Sequence, residues 1–107
     1  MTLNLNTMPR SAVEIIRRNL DEYRINMSTA DSFADQLNDE DTPDYEIPGL
    51  KMMWNLAHSI ETDSKHKLAR SIAVFSRGQI TKEQALEMVS DEKGLARIDA
   101  LLKRFAA

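Results

Sequence analysis

The sequence predicts an all-α domain: a long antiparallel helical hairpin, at about 10–38 and 49–77, with two shorter helices, at about 82–89 and 92–105, packed on it. Three observations carry that prediction. Gly and Pro number only three each in 107 residues, too few for the many turns of a β fold this size. Apolar residues recur at three-and-four spacing along two long stretches. One antiparallel register satisfies both stretches at once.

Residues 1–8 read as a flexible arm before a single helical domain, 9–107. Leu3 and Leu5 alternate with Asn, a pattern with little to anchor it at a chain end. Pro9 opens the first helix, with Thr7 or Met8 at the boundary, because a first-turn residue loses nothing by lacking an N–H. Glu14 favours the positive end of the helix dipole. Val13, Ile16, Leu20, Tyr23, Met27, Ala30, Ala34 and Leu37 are spaced 3-4-3-4-3-4-3, a heptad stripe. Ser28 and Thr29 interrupt the helix propensity, but the stripe keeps its phase across them, so the helix runs to about Asn38.

The next stretch, 38–47, is acidic. Pro43, Pro48 and the charge exclude a helix there, and Tyr45 and Ile47 are expected to pin the loop to the bundle. Pro48 suits the first turn of the second helix. After Gly49 neither Pro nor Gly recurs until Gly78, which can take the left-handed conformation that ends a helix. Its stripe is Leu50, Met53, Trp54, Ala57, Ile60, Leu68, Ile72 and Phe75. Both ends of this helix are apolar on more than one side, the pattern of a helix sandwiched between neighbours. Its middle, Glu61 to Lys67, is polar, yet one continuous helix is the expectation.

Antiparallel pairing sets Leu37 against Leu50, Ala34 against Trp54, Ala30 against Ala57 and Met27 against Ile60. Further along, Tyr23 meets Ser64, Leu20 meets Leu68, Ile16 meets Ile72 and Val13 meets Phe75. Small residues face the large Trp54, and the polar Ser64 faces the one stripe residue with a hydroxyl. Such agreement between levels is expected of a sequence that specifies one fold.

Thr81 and Gln84 form a capping box, with Ile80 in the staple position just before it. Ala85, Leu86, Met88 and Val89 give the third helix its apolar side. Ser90, Asp91 and Glu92 start the fourth, whose face is Leu95, Ile98, Leu101, Leu102 and Phe105. Lys103 and Arg104 suit its C-terminal end. The two short helices are expected to cover the outer apolar surfaces of the second helix.

Composition narrows the function. The apolar fraction of 42% and charged fraction of 29% are those of a globular domain rather than a disordered chain. There is no Cys, so disulfides and thiolate chemistry are excluded. No basic, apolar leader opens the sequence, and no run approaches the ~20 apolar residues of a membrane span, so a cytoplasmic location is expected. Charge is lopsided. Residues 31–46 hold seven acids and no base, whereas 64–107 hold nine bases against five acids. Such asymmetry steers partners.

His58, Glu61, Thr62, Asp63 and His66 are the one cluster with metal-site chemistry. Asp63 and His66 share a face as in half of a carboxylate–histidine motif, but a di-metal bundle needs that motif twice. No elbow or Gly-rich turn positions a nucleophile. No catalytic residue, metal or cofactor is therefore assigned. The main expectation is a non-enzymatic protein that works by protein–protein interaction, as adaptor, regulator or inhibitor, with a homodimer among its forms. Its candidate contact residues are Met52, Met53, Trp54 and Leu56, because Met and Trp are enriched at interfaces and Met adapts to varied partners. The acidic Asp39, Glu40, Asp41 and Asp44 join them, with Tyr45. The alternative is a small DNA-binding regulator. Ala85, Val89, Leu95 and Ile98 sit where a helix-turn-helix places its core, and Lys93, Arg97, Lys103 and Arg104 supply positive charge. The size and helical build resemble those of small accessory proteins of bacteria and their mobile elements, a likeness of build that says little about function.

Overall fold

The computed structural model describes residues 3–106, with side chains through Arg104. Among these residues there are four α-helices, two short 3-10 turns and no strand. The helices are α1 (Arg10–Asn38), α2 (Ile47–Phe75), α3 (Lys82–Val89) and α4 (Glu92–Ala106). α1 and α2 form the hairpin, α3 packs on α2, and α4 closes over the open end of the hairpin, against α1 and the N-terminal segment. The molecule is 53 Å long and 22–26 Å across.

The core lies at the end of the hairpin away from the α1–α2 loop. Val13, Ile16 and Leu20 of α1 meet Leu68, Ala69 and Ile72 of α2 there, and Ala85, Val89, Leu95, Ile98 and Leu102 close over them. Phe105 lies outside the described side chains. The polar middle of α2 does not break it. Ser64 is buried, and its hydroxyl donates to the Glu61 carbonyl at 2.8 Å, so its polar group is satisfied within its own helix. The salt bridge between Lys67 and Glu22, 3.2 Å, spans the hairpin in the anticipated register.

Five expectations are corrected. Over its described part, residues 3–8, the N-terminus is not a loose arm. Leu3, Leu5 and Met8 are core residues, and Leu5–Thr7 is a 3-10 turn capped by the Asn4 side chain, which accepts from the Asn6 N–H at 3.1 Å. Alternation with Asn marked the buried side of a short segment. The second helix is shifted two residues toward the N-terminus, to Ile47–Phe75. A 3-10 turn at Asp44–Glu46 feeds directly into it, so the loop is partly helical in spite of its prolines and charge. The helix ends before Gly78 because Arg77 is already left-handed, φ 56°, followed by Gly78 at φ 85°. Ser76 secures that turn, donating to the Ala73 carbonyl and accepting from the Ile80 N–H at 3.0 Å. Tyr45 pins nothing, since 82% of it is exposed. Finally, α3 and α4 cover only the C-terminal half of α2.

The short helices begin as the sequence indicates. Thr81 accepts from the Gln84 N–H at 3.1 Å while the Gln84 side chain accepts from the Thr81 N–H at 3.0 Å. The Asp91 carboxylate caps α4, accepting from the N–H groups of Lys93 and Gly94. Gly94 lies so close to the end of α3 that a Cβ on it would stand 1.8 Å from the Met88 carbonyl oxygen. Arg17 ties α4 back to α1, donating to the Leu102 carbonyl at 3.1 Å.

Candidate functional site

Between residues 24 and 60 only Ala30 and Ala57 are buried. They face one another across the hairpin, where two helices alone can seal only small side chains at their seam. The rest of this half projects beyond the four-helix end as a bare two-helix arm. Both sides of the arm are accessible, and they differ in chemistry.

One side is apolar. Asn26, Thr29 and Phe33 of α1 and Met53, Leu56 and Ile60 of α2 line a groove of about 130 Å³ floored by Ala57. Met53, Leu56 and Ile60 are all exposed, and Met52 beside them is 73% exposed. Their spacing places them on one helical edge. Adjacent exposed apolar side chains of this kind mark an interaction surface more often than single ones do.

The other side is mixed and more polar. Trp54 is half-buried and stacks on His58, with ring centroids 4.9 Å apart. His58 Nδ1 lies 3.6 Å from a Glu61 carboxylate oxygen. Trp54 also lines a wider hollow with Ala34, Leu37 and Lys51. Nearer the four-helix end, Asp31, Asp35 and Glu92 rim a depression with Arg24 and Met27. At the junction, Tyr23 is buried, and burial raises its hydroxyl pKa above 10.0, helped by the nearby Glu61 and Glu92 carboxylates.

The structure therefore separates the interaction candidates. Met52, Met53 and Leu56 share the apolar side of the arm, whereas Trp54 faces away from them, 300° of helical turn from Ala57 in the opposite sense to Ile60 in a helix of ~100° per residue. Asp39, Glu40, Asp41, Asp44 and Tyr45 are all exposed at the tip. The loop is internally braced: Asp39 accepts from the Asp41 N–H at 2.9 Å, and Thr42 donates to the Gln36 carbonyl at 2.6 Å. Phe33 and Ile60 belong to the apolar groove but stood outside the candidate set. The signal for them was a second three-and-four series, Asn26-Thr29-Phe33 beside the main stripe of α1 and Met53-Leu56-Ile60 sharing two residues with that of α2.

The nucleic-acid candidates lie on α4. Lys93, Arg97, Lys103 and Arg104 are exposed, and Lys93, Arg97 and Arg104 follow one edge of the helix. Lys103 pairs with Asp99 at 3.3 Å, and Asp91 and Glu92 occupy the start of the helix. Among the described residues no three His, Asp or Glu side chains converge as metal ligands, and no helix is long and apolar enough to cross a membrane. Comparison with known protein families, with characterised proteins and with solved structures finds no match.

Proposed function

We propose that this is a non-enzymatic protein that acts by binding another protein chain through the apolar side of its projecting arm. The observation that carries this reading is the groove between Phe33 and Leu56. It holds the exposed Met53, Leu56 and Ile60 side chains next to one another, on a part of the fold that lies outside the main core. An arm made of the loop-side halves of two 29-residue helices presents a rigid, elongated face, the form that helix-in-groove recognition uses.

Capture of tagged protein from its native lysate, with nuclease present, tests the reading. A stoichiometric protein partner is expected to survive nuclease and to be lost with Leu56→Asp or Met52→Asp. Both side chains lie mostly in solvent, so both variants should keep the parent's circular dichroism and melting temperature. A partner retained by folded variants of both kinds would sink the proposal.

A second reading, DNA binding, draws on the exposed edge of Lys93, Arg97 and Arg104 on α4. It requires a gel shift at low salt that weakens steeply as salt rises and is reduced by Arg97→Ala. The acids at the start of α4 oppose it, because they would meet phosphates first.

A further inference from the structure

The uncovered side of the hairpin is longer than the groove. On α2 the residues Met53, Leu56, Ile60, Asp63, Lys67 and Arg70 belong to one heptad series, which Glu46 continues from the 3-10 turn that leads into the helix. On α1 the same side carries Arg18, Glu22, Asn26, Thr29 and Phe33, and the Lys67–Glu22 salt bridge confirms that the two series border each other. At the four-helix end α3 and α4 cover one side of the hairpin, and nothing among the described residues covers the other side along its whole length.

The charges on this side are arranged about the apolar patch. The tip carries Glu46. On the far side of the patch, beyond Asp63, stands Arg70, exposed and without a salt-bridge partner among the described residues. The distances match. At ~1.5 Å per residue, Glu46 and Arg70 lie equally far, about 18 Å, from the point midway between Leu56 and Ile60. On α1 the same operation exchanges Asn26 and Phe33 about the point midway between them. Those two midpoints stand opposite one another in the hairpin register. Glu46 and Arg70 therefore complement one another under a two-fold axis that crosses the hairpin at the patch.

We infer that this face pairs with a second copy of the chain, antiparallel, to make a four-helix layer between the two copies. This rests on the reading of the arm as a protein-binding surface and names its occupant. In the pair, Leu56 of each copy meets Ile60 of the other, Phe33 meets Asn26 and Glu46 meets Arg70. The parallel alternative brings the two acidic tips together, and like charges held close oppose it. The area is sufficient. Two helices of 29 residues side by side offer a face of about 800 Å² per copy, the size of a standard stable interface. Side-by-side pairing of antiparallel helices around a shared apolar seam is ordinary four-helix packing.

Sedimentation of the full chain across the micromolar range reads the mass directly. A dimer is expected, and Leu56→Asp should weaken it by at least about tenfold while the melting curve of the monomer keeps its shape. Glu46→Arg should also weaken it. Glu46→Arg combined with Arg70→Glu should restore it, because both crossed pairs are rebuilt with their signs exchanged. No purely structural role of either residue predicts that rescue. Orientation follows from single cysteines, which are unambiguous in a chain that has none. Glu46→Cys mixed with Arg70→Cys should form an intermolecular disulfide on mild oxidation, and Glu46→Cys alone should not. A chain that is monomeric at high micromolar concentration overturns the self-pairing, as does a dimer in which Glu46→Cys links to itself. If that monomeric chain still captures a different protein through Leu56, the proposed function stands without this inference. If it captures none, both fall.

Discussion

The two ends of the hairpin carry the same kind of pattern and reach different degrees of burial. The heptad stripe of α1 runs without a phase change from Val13 to Leu37. Val13, Ile16 and Leu20 are sealed from solvent, whereas Met27, Ala34 and Leu37 are only half-buried. What differs is the third layer. At the four-helix end α3, α4 and the N-terminal segment close over the seam. At the arm two helices meet alone. A stripe therefore reports that helices pair, and not how deeply the pair is covered. Full burial of a Leu or Ile side chain contributes ~1.5–3 kcal/mol, so stability should be concentrated at the covered end and binding capacity at the bare one.

The widest test of that contrast sets two leucines of α2 against each other. Leu68 is fully buried and Leu56 is 57% exposed. Leu68→Ala is expected to cost ~2–5 kcal/mol in urea unfolding, the range for a cavity in a packed core. Leu56→Ala should fall within ~0.5 kcal/mol of the parent in the monomer, as surface changes do. Equal losses would mean that the arm is covered in solution even at low concentration.

Two glycines sharpen the contrast with one substitution. At Gly94, Ala would drive its Cβ into the Met88 carbonyl, and backbone on both sides leaves no flexible group to yield. Gly94→Ala should therefore cost at least ~1–3 kcal/mol and loosen α4, seen as faster amide exchange there. At Gly49, near the start of α2, nothing lies within 4 Å of the same Cβ. Gly49→Ala should stabilise by ~0.4–1 kcal/mol, through reduced freedom of the unfolded chain. Thermal melts of the pair should move in opposite directions.

The capping box gives a smaller effect confined to the covered end. Thr81→Ala removes the acceptor for the Gln84 N–H and should cost ~1 kcal/mol. The loss should appear in α3 and leave amide exchange in the arm unchanged. A uniform change along α1 would show that the two ends unfold as one unit.

Local chemistry made much of this legible in advance. Pro9, Thr81 with Gln84, and the acid–Pro loop each act within a few residues of themselves, so the helix order and the starts of α1, α3 and α4 could be read directly. The hairpin register was legible because both stripes had to agree. The extent of the third layer was not, because it depends on where short α3 and α4 come to rest on a helix of 29 residues. The buried Leu3, Leu5 and Met8 were missed for a related reason: a short segment with no helical period shows its packing only once a groove exists to receive it. For the contact surface, Met52, Met53 and Leu56 were identified by type, but Ile60 was assigned to the seam and Phe33 to no surface. They belong to a second series that overlaps the main stripe and is distinguished only by facing nothing.

Tyr23 stands where the two regions meet, and its titration tests how sharp the boundary is. Burial is the first cause of its raised pKa, with Glu61 and then Glu92 adding to it. Below its ordinary value of 10.0 the phenol is neutral in both the folded and the unfolded chain, and this part of the stability is fully present. As pH rises past that value the unfolded chain releases the proton first, so unfolding gains and stability falls until the folded pKa is passed. Tyr23→Phe has no proton to release. Its melting temperature should therefore decline less than the parent's between about pH 9 and pH 11. Parallel declines would mean that water reaches the Tyr23 hydroxyl, and that the bare region begins inside the four-helix end, one turn earlier on α1.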